Sequence, residues 1–273
     1  MNQHGAADLL IAARRVLLDA MDALHEHRSA LVLVGAQAIY LHTGNARVEL
    51  AESTKDSDFA IDPRKLRDDP LLEEAMHSAG FTHNAVDPQP ESWLSSDGVP
   101  VDLMVPEQLA GAGSRRSGRI APHSDRATRR TTGLEAAVID HAPMLIKALD
   151  PTDARTIEMN VAGPAALLIA KLHKLGERAA APGRLLDKDA HDVYRLLVAT
   201  ESAAVATTLR QLREHELSDR VTRDALSYLL KLFAAGPDAL GSTMAGRAEQ
   251  LVGSPATVSA SASALAADLL ALL

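Results

Sequence analysis

The spacing of apolar residues changes character near residue 164. Before that point, short apolar runs predict strands at residues 30–35, 58–62, 98–106 and 156–163. Helical spacing of Leu, Val and Ala predicts helices at residues 6–27, 36–44 and 70–81. Residues 133–149 fit either a strand or a short helix, and the Gly-, Arg- and Ser-rich residues 110–130 are typical of a long loop.

After residue 164, every segment with a clear period is helical. These helices are predicted at residues 164–179, 187–200, 204–217 and 221–236 and in the Ala-rich tail. Strands mixed with helices and then helices alone are typical of two packed units. The sequence therefore predicts an α/β (α+β) domain with a mixed sheet over residues 1–163, followed by an all-helical domain over residues 164–273.

The composition and the net charge exclude some classes of site and make others less expected. The 273 residues include no cysteine, which excludes disulfides and thiolate metal ligands in this chain. The N-terminal residues lack the order of a signal peptide and no apolar run approaches about 20 residues, so a cytoplasmic protein without a membrane span is expected. The formal net charge of −8 argues against general nucleic-acid binding, so any polyanion is expected to be held locally.

Gly35 ends the first predicted strand and begins the next predicted helix. Glycine at such a turn lets backbone N–H groups approach a phosphate at a helix N-terminus, although this turn occurs in many α/β domains. Further along, Asp56 and Asp58 open a strand, where alternation points both side chains the same way. Neighbouring carboxylates repel each other unless a cation lies between them, and magnesium prefers oxygen ligands together with substrate phosphates. A solvated start of the strand is the alternative.

Asp102 lies in the middle of the apolar run 98–106. A buried, unpaired carboxylate is costly, so this side chain is expected either to meet a metal or another cation, or to face outward from an edge strand. Three carboxylates on neighbouring strands could hold magnesium ions that activate a hydroxyl nucleophile and stabilise a leaving pyrophosphate.

The order of these motifs resembles the polymerase-β-like nucleotidyltransferase superfamily. Gly35-Ala36, Thr54-Lys55-Asp56-Ser57-Asp58 and Asp102 are similar to its glycine turn, Asp-x-Asp pair and third acid. The fuller similarity is to its AbiEii-like branch, which includes MenT-type toxins of type IV toxin–antitoxin systems. Ala170-Lys171-Leu172 and Lys188-Asp189-Ala190-His191-Asp192 resemble the lysine motif and the Lys-Asp-x-x-Asp motif of that branch. Ala36 stands where the superfamily has Ser or Gly, which removes a hydroxyl contact and keeps the backbone donors.

The resemblance covers residues 31–197 and implies both an activity and a set of site residues. The implied reaction is of the EC 2.7.7 type: a nucleoside monophosphate moves from a nucleoside triphosphate (NTP) to a hydroxyl acceptor, with Mg²⁺ as cofactor. RNA, above all tRNA, is the implied acceptor, and a cognate antitoxin is the implied partner. The implied metal ligands are Asp56, Asp58 and Asp102, with Asp102 also activating the acceptor, and the implied phosphate cradle is Gly35 and Ala36. A small-molecule acceptor, as in antibiotic-adenylating enzymes, and a non-catalytic nucleotide- or RNA-binding relative are the alternatives.

The helical part contributes Lys171 and Asp189 to the expected catalytic residues. Lys171 and Lys174 share one helical face, which by itself is typical of a solvated surface, and we interpret Lys174 in that way. Lys171, supported by the resemblance, is expected to steady the triphosphate as a point charge. Asp189 and Asp192 lie one turn apart, where they either orient Lys171 or favour the helix N-terminus.

His191 and Asp192 also fit a different hypothesis. Adjacent His and Asp are paired metal ligands in HD-type phosphohydrolases, and His173 and Asp140 are candidates for the further ligands. No spacing in the sequence fixes that set.

Basic residues suggest where an RNA and the nucleotide phosphates would lie. Arginines crowd one segment of an acidic chain, opposed there only by Asp125. They are Arg115, Arg116, Arg119, Arg126, Arg129 and Arg130. Such a segment is either a local polyanion site or a solvated loop, and its lack of aromatic residues argues against base stacking. Arg47 and Lys55, which precede the acidic pair, are expected at the nucleotide phosphates, with a surface position as the alternative for Arg47.

Overall fold

A computed structural model of the chain describes residues 3–44, 56–84, 92–112, 116–250 and 253–273. By their contacts the residues form two compact units, each considered by itself below. The first unit consists of Met1–Gln37, Ser53–Leu134 and His141–Ala162. The second consists of Ala38–Glu52, Glu135–Asp140 and Gly163–Leu273. The division predicted at residue 163 differs from these units in the two short segments that the second unit takes from the first part of the chain.

The first unit is built on a mixed sheet, of which the described residues form eight strands. They are β1 (Leu31–Val34), β2 (Ser57–Ile61), β3 (Thr82–His83), β4 (Ser92–Leu94), β5 (Pro100–Pro106), β6 (Arg129–Thr131), β7 (His141–Lys147) and β8 (Thr156–Ala162). Their order is β3–β4–β5–β2–β1–β8–β7, and β6 pairs with β5. The pairs β1–β8, β2–β5 and β5–β6 are parallel and the others are antiparallel. The predicted mixed sheet is confirmed.

One face of this sheet forms the core of the first unit. Leu33, Phe59 and Leu103 lie side by side on β1, β2 and β5 and are fully buried. Helix α1 (Gln3–Ala23) packs on this face, where the Ser57 hydroxyl donates to the Ala13 carbonyl. Because side chains alternate along a strand, the neighbours of this apolar row point to the opposite face.

Two further helices begin in the first unit. Helix α2 (Gly35–Thr43) follows β1 without a loop, and α3 (Leu72–Ser78) follows β2. The apolar stripe that predicted one helix over residues 6–27 ends at Leu24. There the chain tightens into a 3-10 helix, His25–Ala30, and His27 turns inward to donate to the Pro70 carbonyl.

The second unit is helical, as predicted for the part of the chain after residue 164. Its helices are α4 (Pro164–Ala179), α5 (Asp187–Ala199), α6 (Ser202–Glu214), α7 (Asp219–Leu229), α8 (Leu240–Ala248) and α9 (Pro255–Ala271). Helix α7 continues into a π-helical turn, Leu230–Ala234. The apolar stripe of α4, with Leu168 and Leu172, is buried. Within the described residues, no helix combines the length and the apolar character needed to cross a membrane.

Three details differ from the sequence-based expectations, and one open alternative is decided. Residues 110–130 are not simply a loop, because β6 begins at Arg129 and the Trp93 indole donates to the Ala127 carbonyl. Residues 133–149, which fitted either a strand or a short helix, contain strand β7. The short pair β3–β4 and helix α8 were not predicted, because two or three residues and a Gly- and Ser-containing helix give weak periodic signals.

Candidate active site

Gly35 makes a close approach to Asp58. Val34 and Asp58 are paired in register on β1 and β2, and Gly35 follows with a φ of +70°. A Cβ atom on this residue would overlap the carboxylate of Asp58. Glycine is therefore required here twice, once by the left-handed backbone and once by the space that the carboxylate takes.

Asp58 and Asp102 lie directly beside each other on the parallel strands β2 and β5. Residues paired in this way share a face of the sheet, and neighbouring strands are about 4.8 Å apart. Both residues are half-buried, on the face opposite to the α1 core. Asp56 precedes β2 by one residue and is also half-buried. The structure thus places two of the three predicted carboxylates, Asp58 and Asp102, in register. The third, Asp56, lies two residues before Asp58 along the chain.

A buried polar network beneath the sheet holds the start of α2 against β2. The Gln37 amide donates to the Ser57 hydroxyl at 3.0 Å, to the Ala13 carbonyl at 3.2 Å and to the Asp56 carbonyl at 3.4 Å. The Arg14 guanidinium donates to the Gln37 side-chain carbonyl at 2.9 Å. Since Gln37 lies two residues after Gly35 and Ser57 lies beside Asp58, this network positions the glycine turn. In the sequence, the feature that points to such a network is a polar residue within an apolar helical stretch, as Arg14 and Gln37 are.

Arg129 is a site residue that sequence analysis placed elsewhere. It lies on β6 opposite Met104, and its guanidinium donates to the Asp102 carboxylate at 2.8 Å and contacts the Met104 sulfur at 3.1 Å. The side chains of Arg129 and Asp102 are 25% and 19% exposed, so the ion pair is largely shielded from water. The sequence alone could not show this ion pair, because the pairing of β6 with β5 joins residues that are 25 positions apart.

The pair Asp58–Asp102 fits a divalent cation. Magnesium in nucleotide sites takes one or two carboxylates, with substrate phosphates and water completing its oxygen ligands. Within the part of the chain that the structure describes, no group of three or more His, Asp or Glu side chains converges as a metal cluster. The residues that fit a divalent cation are therefore the two carboxylates, Asp58 and Asp102, beside the Gly35 turn.

A second charged cluster lies in the second unit, between α4 and α5. Lys171 lies 2.6 Å from Asp192 and 3.2 Å from Asp189. Asp189 is also 2.8 Å from Lys174 and 3.3 Å from Arg178. Lys174 is 36% exposed, as expected for a solvated face, and its ammonium is also paired with a fully buried carboxylate, which the sequence did not predict. The three cations occupy one face of α4 at helical spacing.

The cations decide the charge state of Asp189. Burial by itself raises the pKa of this carboxyl, but attraction by Lys171, Lys174 and Arg178 outweighs it and lowers the pKa well below its ordinary value. Asp189 is therefore ionised throughout the physiological range. With three cations against Asp189 and Asp192, the cluster has a formal excess of one positive charge.

The ligands of the HD-type hypothesis are engaged separately in the second unit. His173 donates to the Val221 carbonyl, and the ring of His191 lies 2.8 Å from the Glu249 carboxylate. Asp140 accepts from the backbone N–H of Ala166 in the first turn of α4. Among the described residues, no three His, Asp or Glu side chains converge as a metal cluster, so the structure shows no HD-type ligand set.

The remaining predicted residues fall into three groups. Ala36 lies in the first turn of α2 and is half-buried. Arg116, Arg119 and Arg126 are exposed, whereas Arg130 donates to the backbone carbonyls of Ala110 and Gly111. Arg47, Lys55 and Arg115 lie outside the described residues.

Comparison with known proteins adds no relative from which a role could be transferred. No family model, no curated protein and no solved structure matches the chain. A functional assignment therefore depends on the residues and on their geometry.

Proposed function

We propose that this chain is a metal-dependent nucleotidyltransferase with its site at Asp58 and Asp102. The observation that supports this most strongly is the close approach of the Gly35 turn to Asp58, beside the in-register carboxylate of Asp102. The Gly35 turn begins α2 directly beside the Asp58 carboxylate, so a phosphate held by backbone N–H groups at that helix N-terminus would lie next to carboxylate oxygens that can bind a metal. The proposal includes a nucleotidyltransferase core in the first unit and a Mg²⁺ ion bound by these carboxylates.

The proposed reaction has a simple balance of bonds and protons. The acceptor hydroxyl oxygen forms a bond to the α-phosphorus of an NTP, and the bond from that phosphorus to the bridging oxygen breaks. Pyrophosphate leaves, and Asp102 takes the hydroxyl proton. Asp56, Asp58 and Asp102 are the residues that would hold Mg²⁺, which when bound supplies positive charge at the attacking and leaving oxygens. The Gly35 turn orients the phosphates through backbone N–H groups.

The basic row on α4 supports use of a polyanionic substrate. Asp189 holds Lys171, Lys174 and Arg178 in fixed positions, and their side chains are 9%, 36% and 24% exposed. Ordered cations bind an anion at a smaller entropic cost than flexible ones. In the proposed function the polyanion that this row binds is a phosphate-bearing substrate. Lys171 and Asp189 then position the row, and Lys174 and Arg178 are its more exposed members.

We propose RNA, in particular a tRNA end, as the acceptor, in the manner of a type IV toxin. Arg116, Arg119 and Arg126 are exposed on one segment of a chain whose net charge is −8. Phosphate contacts release counterions, so RNA binding is expected to weaken steeply with salt. Replacing these three arginines by Gln should flatten the salt dependence of RNA binding without changing NTP affinity. Unchanged salt dependence in that variant would remove the segment from acceptor binding.

The decisive experiment incubates the protein with each labelled NTP, Mg²⁺ and total RNA, and follows label in RNA and release of pyrophosphate. Asp58→Asn should abolish both signals. Asp97→Asn is the matched control, since that carboxylate is 59% exposed and pairs only at the surface with Arg15. Pyrophosphate release with unlabelled RNA would point to a small-molecule acceptor. Nucleotide binding without pyrophosphate release would point to a non-catalytic relative.

A further inference from the structure

The ion pair between Arg129 and Asp102 places a positive charge on a carboxylate that the proposed reaction needs for a metal. The guanidinium lies 2.8 Å from one Asp102 oxygen, and the Met104 sulfur at 3.1 Å contacts the same nitrogen. Both partners are mostly shielded from water, at 25% and 19% exposure. In such surroundings the effective dielectric is lower than in bulk water, and one charge is felt strongly by the next.

The sheet itself delivers this arginine to the carboxylate face. Met104 and Asp102 are two residues apart on β5 and point to the same face, and Arg129 is paired in register with Met104 on β6. Arg130 points to the opposite face by alternation, and its guanidinium donates to the Ala110 and Gly111 carbonyls. The two adjacent arginines therefore have different surroundings, although they belong to the same short strand.

A cation already at Asp102 opposes the arrival of a divalent cation. Arg129 neutralises part of the negative charge that attracts the metal, and it repels a dication close to Asp102. An arginine keeps its charge at every relevant pH, so only movement of the guanidinium relieves this repulsion. Once displaced, the guanidinium is suited to a phosphate oxygen, because its geometry matches phosphate groups.

We propose that Arg129 competes with the divalent cation for Asp102, and so sets the cation concentration at which the site fills. The proposal rests on the proposed function, since it concerns the metal expected at Asp58 and Asp102. Arg129 is here a positioning residue that acts through Asp102. Its effect depends on charge and not on packing alone, which separates it from a merely structural role.

The test measures Mn²⁺ binding directly, by the electron paramagnetic resonance signal of the free ion. Wild type, Arg129→Gln, Arg129→Lys and the control Arg130→Gln are titrated in the absence of nucleotide, and their melting temperatures are compared. Arg129→Gln should bind Mn²⁺ about tenfold more tightly, because one positive charge has left the site. Arg129→Lys should stay close to wild type, and Arg130→Gln should show wild-type affinity.

Two results would overturn the inference. Unchanged or weaker Mn²⁺ binding by Arg129→Gln would mean that the arginine supports the carboxylate instead of competing for it. Equal tightening by Arg129→Gln and Arg130→Gln would mean that only the general charge of the protein matters. If wild type binds Mn²⁺ and transfers nucleotide in either case, the proposed function stands and only the role of Arg129 fails. If neither wild type nor Asp102→Asn differs from buffer in Mn²⁺ binding, the metal site of the proposed function fails as well.

Discussion

Two charged clusters of this protein differ in composition and in burial. In the first unit, Asp58, Asp102 and Arg129 share a sheet face, and all three are partly accessible to water. In the second unit, Asp189 is fully buried and paired with three cations. Among the residues named here, carboxylates outnumber cations in the first cluster, and cations outnumber carboxylates in the second.

This difference predicts different responses to mutation. A partly exposed carboxylate can exchange partners at a small cost, because water can solvate its charge. A carboxylate buried with its counter-ions is costly to disturb, because removal of one partner leaves the others charged and desolvated. Mutations in the two clusters should therefore affect different measurements.

The largest expected effect is the loss of nucleotide transfer in Asp58→Asn. Asparagine keeps the shape of the side chain and removes the charge that would hold the metal, so transfer should fall by about 10³-fold, corresponding to about 4 kcal/mol of transition-state stabilisation. Initial rates with saturating Mg²⁺ and NTP measure it. The free energy of unfolding should stay the same or rise, since a carboxylate beside Asp102 is removed. Transfer at the wild-type rate would place the site elsewhere.

Asp189→Asn should lower the free energy of unfolding by about 3 kcal/mol. The neutral amide removes the buried carboxylate that pairs with Lys171, Lys174 and Arg178. Urea denaturation measures the change. The matched control on the same helix is Asp187→Asn, because Asp187 pairs with Arg247 at the surface and such pairs contribute less than about 1 kcal/mol. Equal losses in the two variants would mean that the burial of Asp189 has no special role.

Gly35→Ala tests the close approach within the first cluster. The methyl group would overlap the Asp58 carboxylate and would also force a left-handed backbone on alanine, at a combined cost of about 2 kcal/mol. Gly98→Ala is the control for the backbone part, because Gly98 has a φ of +75° with no atom near its added Cβ. The difference in unfolding free energy between the two variants isolates the overlap with Asp58. Transfer should be lost in Gly35→Ala alone, and retention of full activity there would contradict the proposed geometry.

The smallest expected effect is a difference between the two units in how their stability depends on pH. In the first unit, burial lowers the pKa of His27, opposed by its hydrogen bond to the Pro70 carbonyl and reinforced by His123 and Arg67. The neutral ring is therefore favoured in the folded state, and the stability that it contributes above about pH 6.5 is lost as the pH falls through its folded pKa. In the second unit, Asp189 has a lowered pKa, so its contribution is lost only in much stronger acid.

His27→Gln measures this difference, because glutamine can still donate to the Pro70 carbonyl. Between pH 7 and 5, wild type should lose stability more steeply than the variant, by at most about 1.4 kcal/mol per pH unit for one proton. The exposed His25→Gln is the control and should follow wild type. Parallel pH profiles for wild type and His27→Gln would mean that His27 is not the titrating group.

Local patterns alone determined much of this protein. Apolar runs placed β1, β2, β5 and β8, and helical spacing placed α4 to α7, because burial of one face imposes a period on each element. Gly35, Asp58 and Asp102 were also identified from sequence, since a glycine after a strand and acids within strands stand out against their neighbours. Their proposed chemistry remains a prediction.

Only the tertiary structure decided which residues meet. Strand pairing brought Arg129 to Asp102, and the packing of α4 and α5 turned Lys174 from an apparent surface residue into a partner of the buried Asp189. The overlap between Gly35 and Asp58 likewise depends on the register of β1 and β2. Periodicity reports whether a side chain is buried, but partners that are distant in sequence are set by register and packing. A single amino-acid sequence carries no local signal for either register or packing.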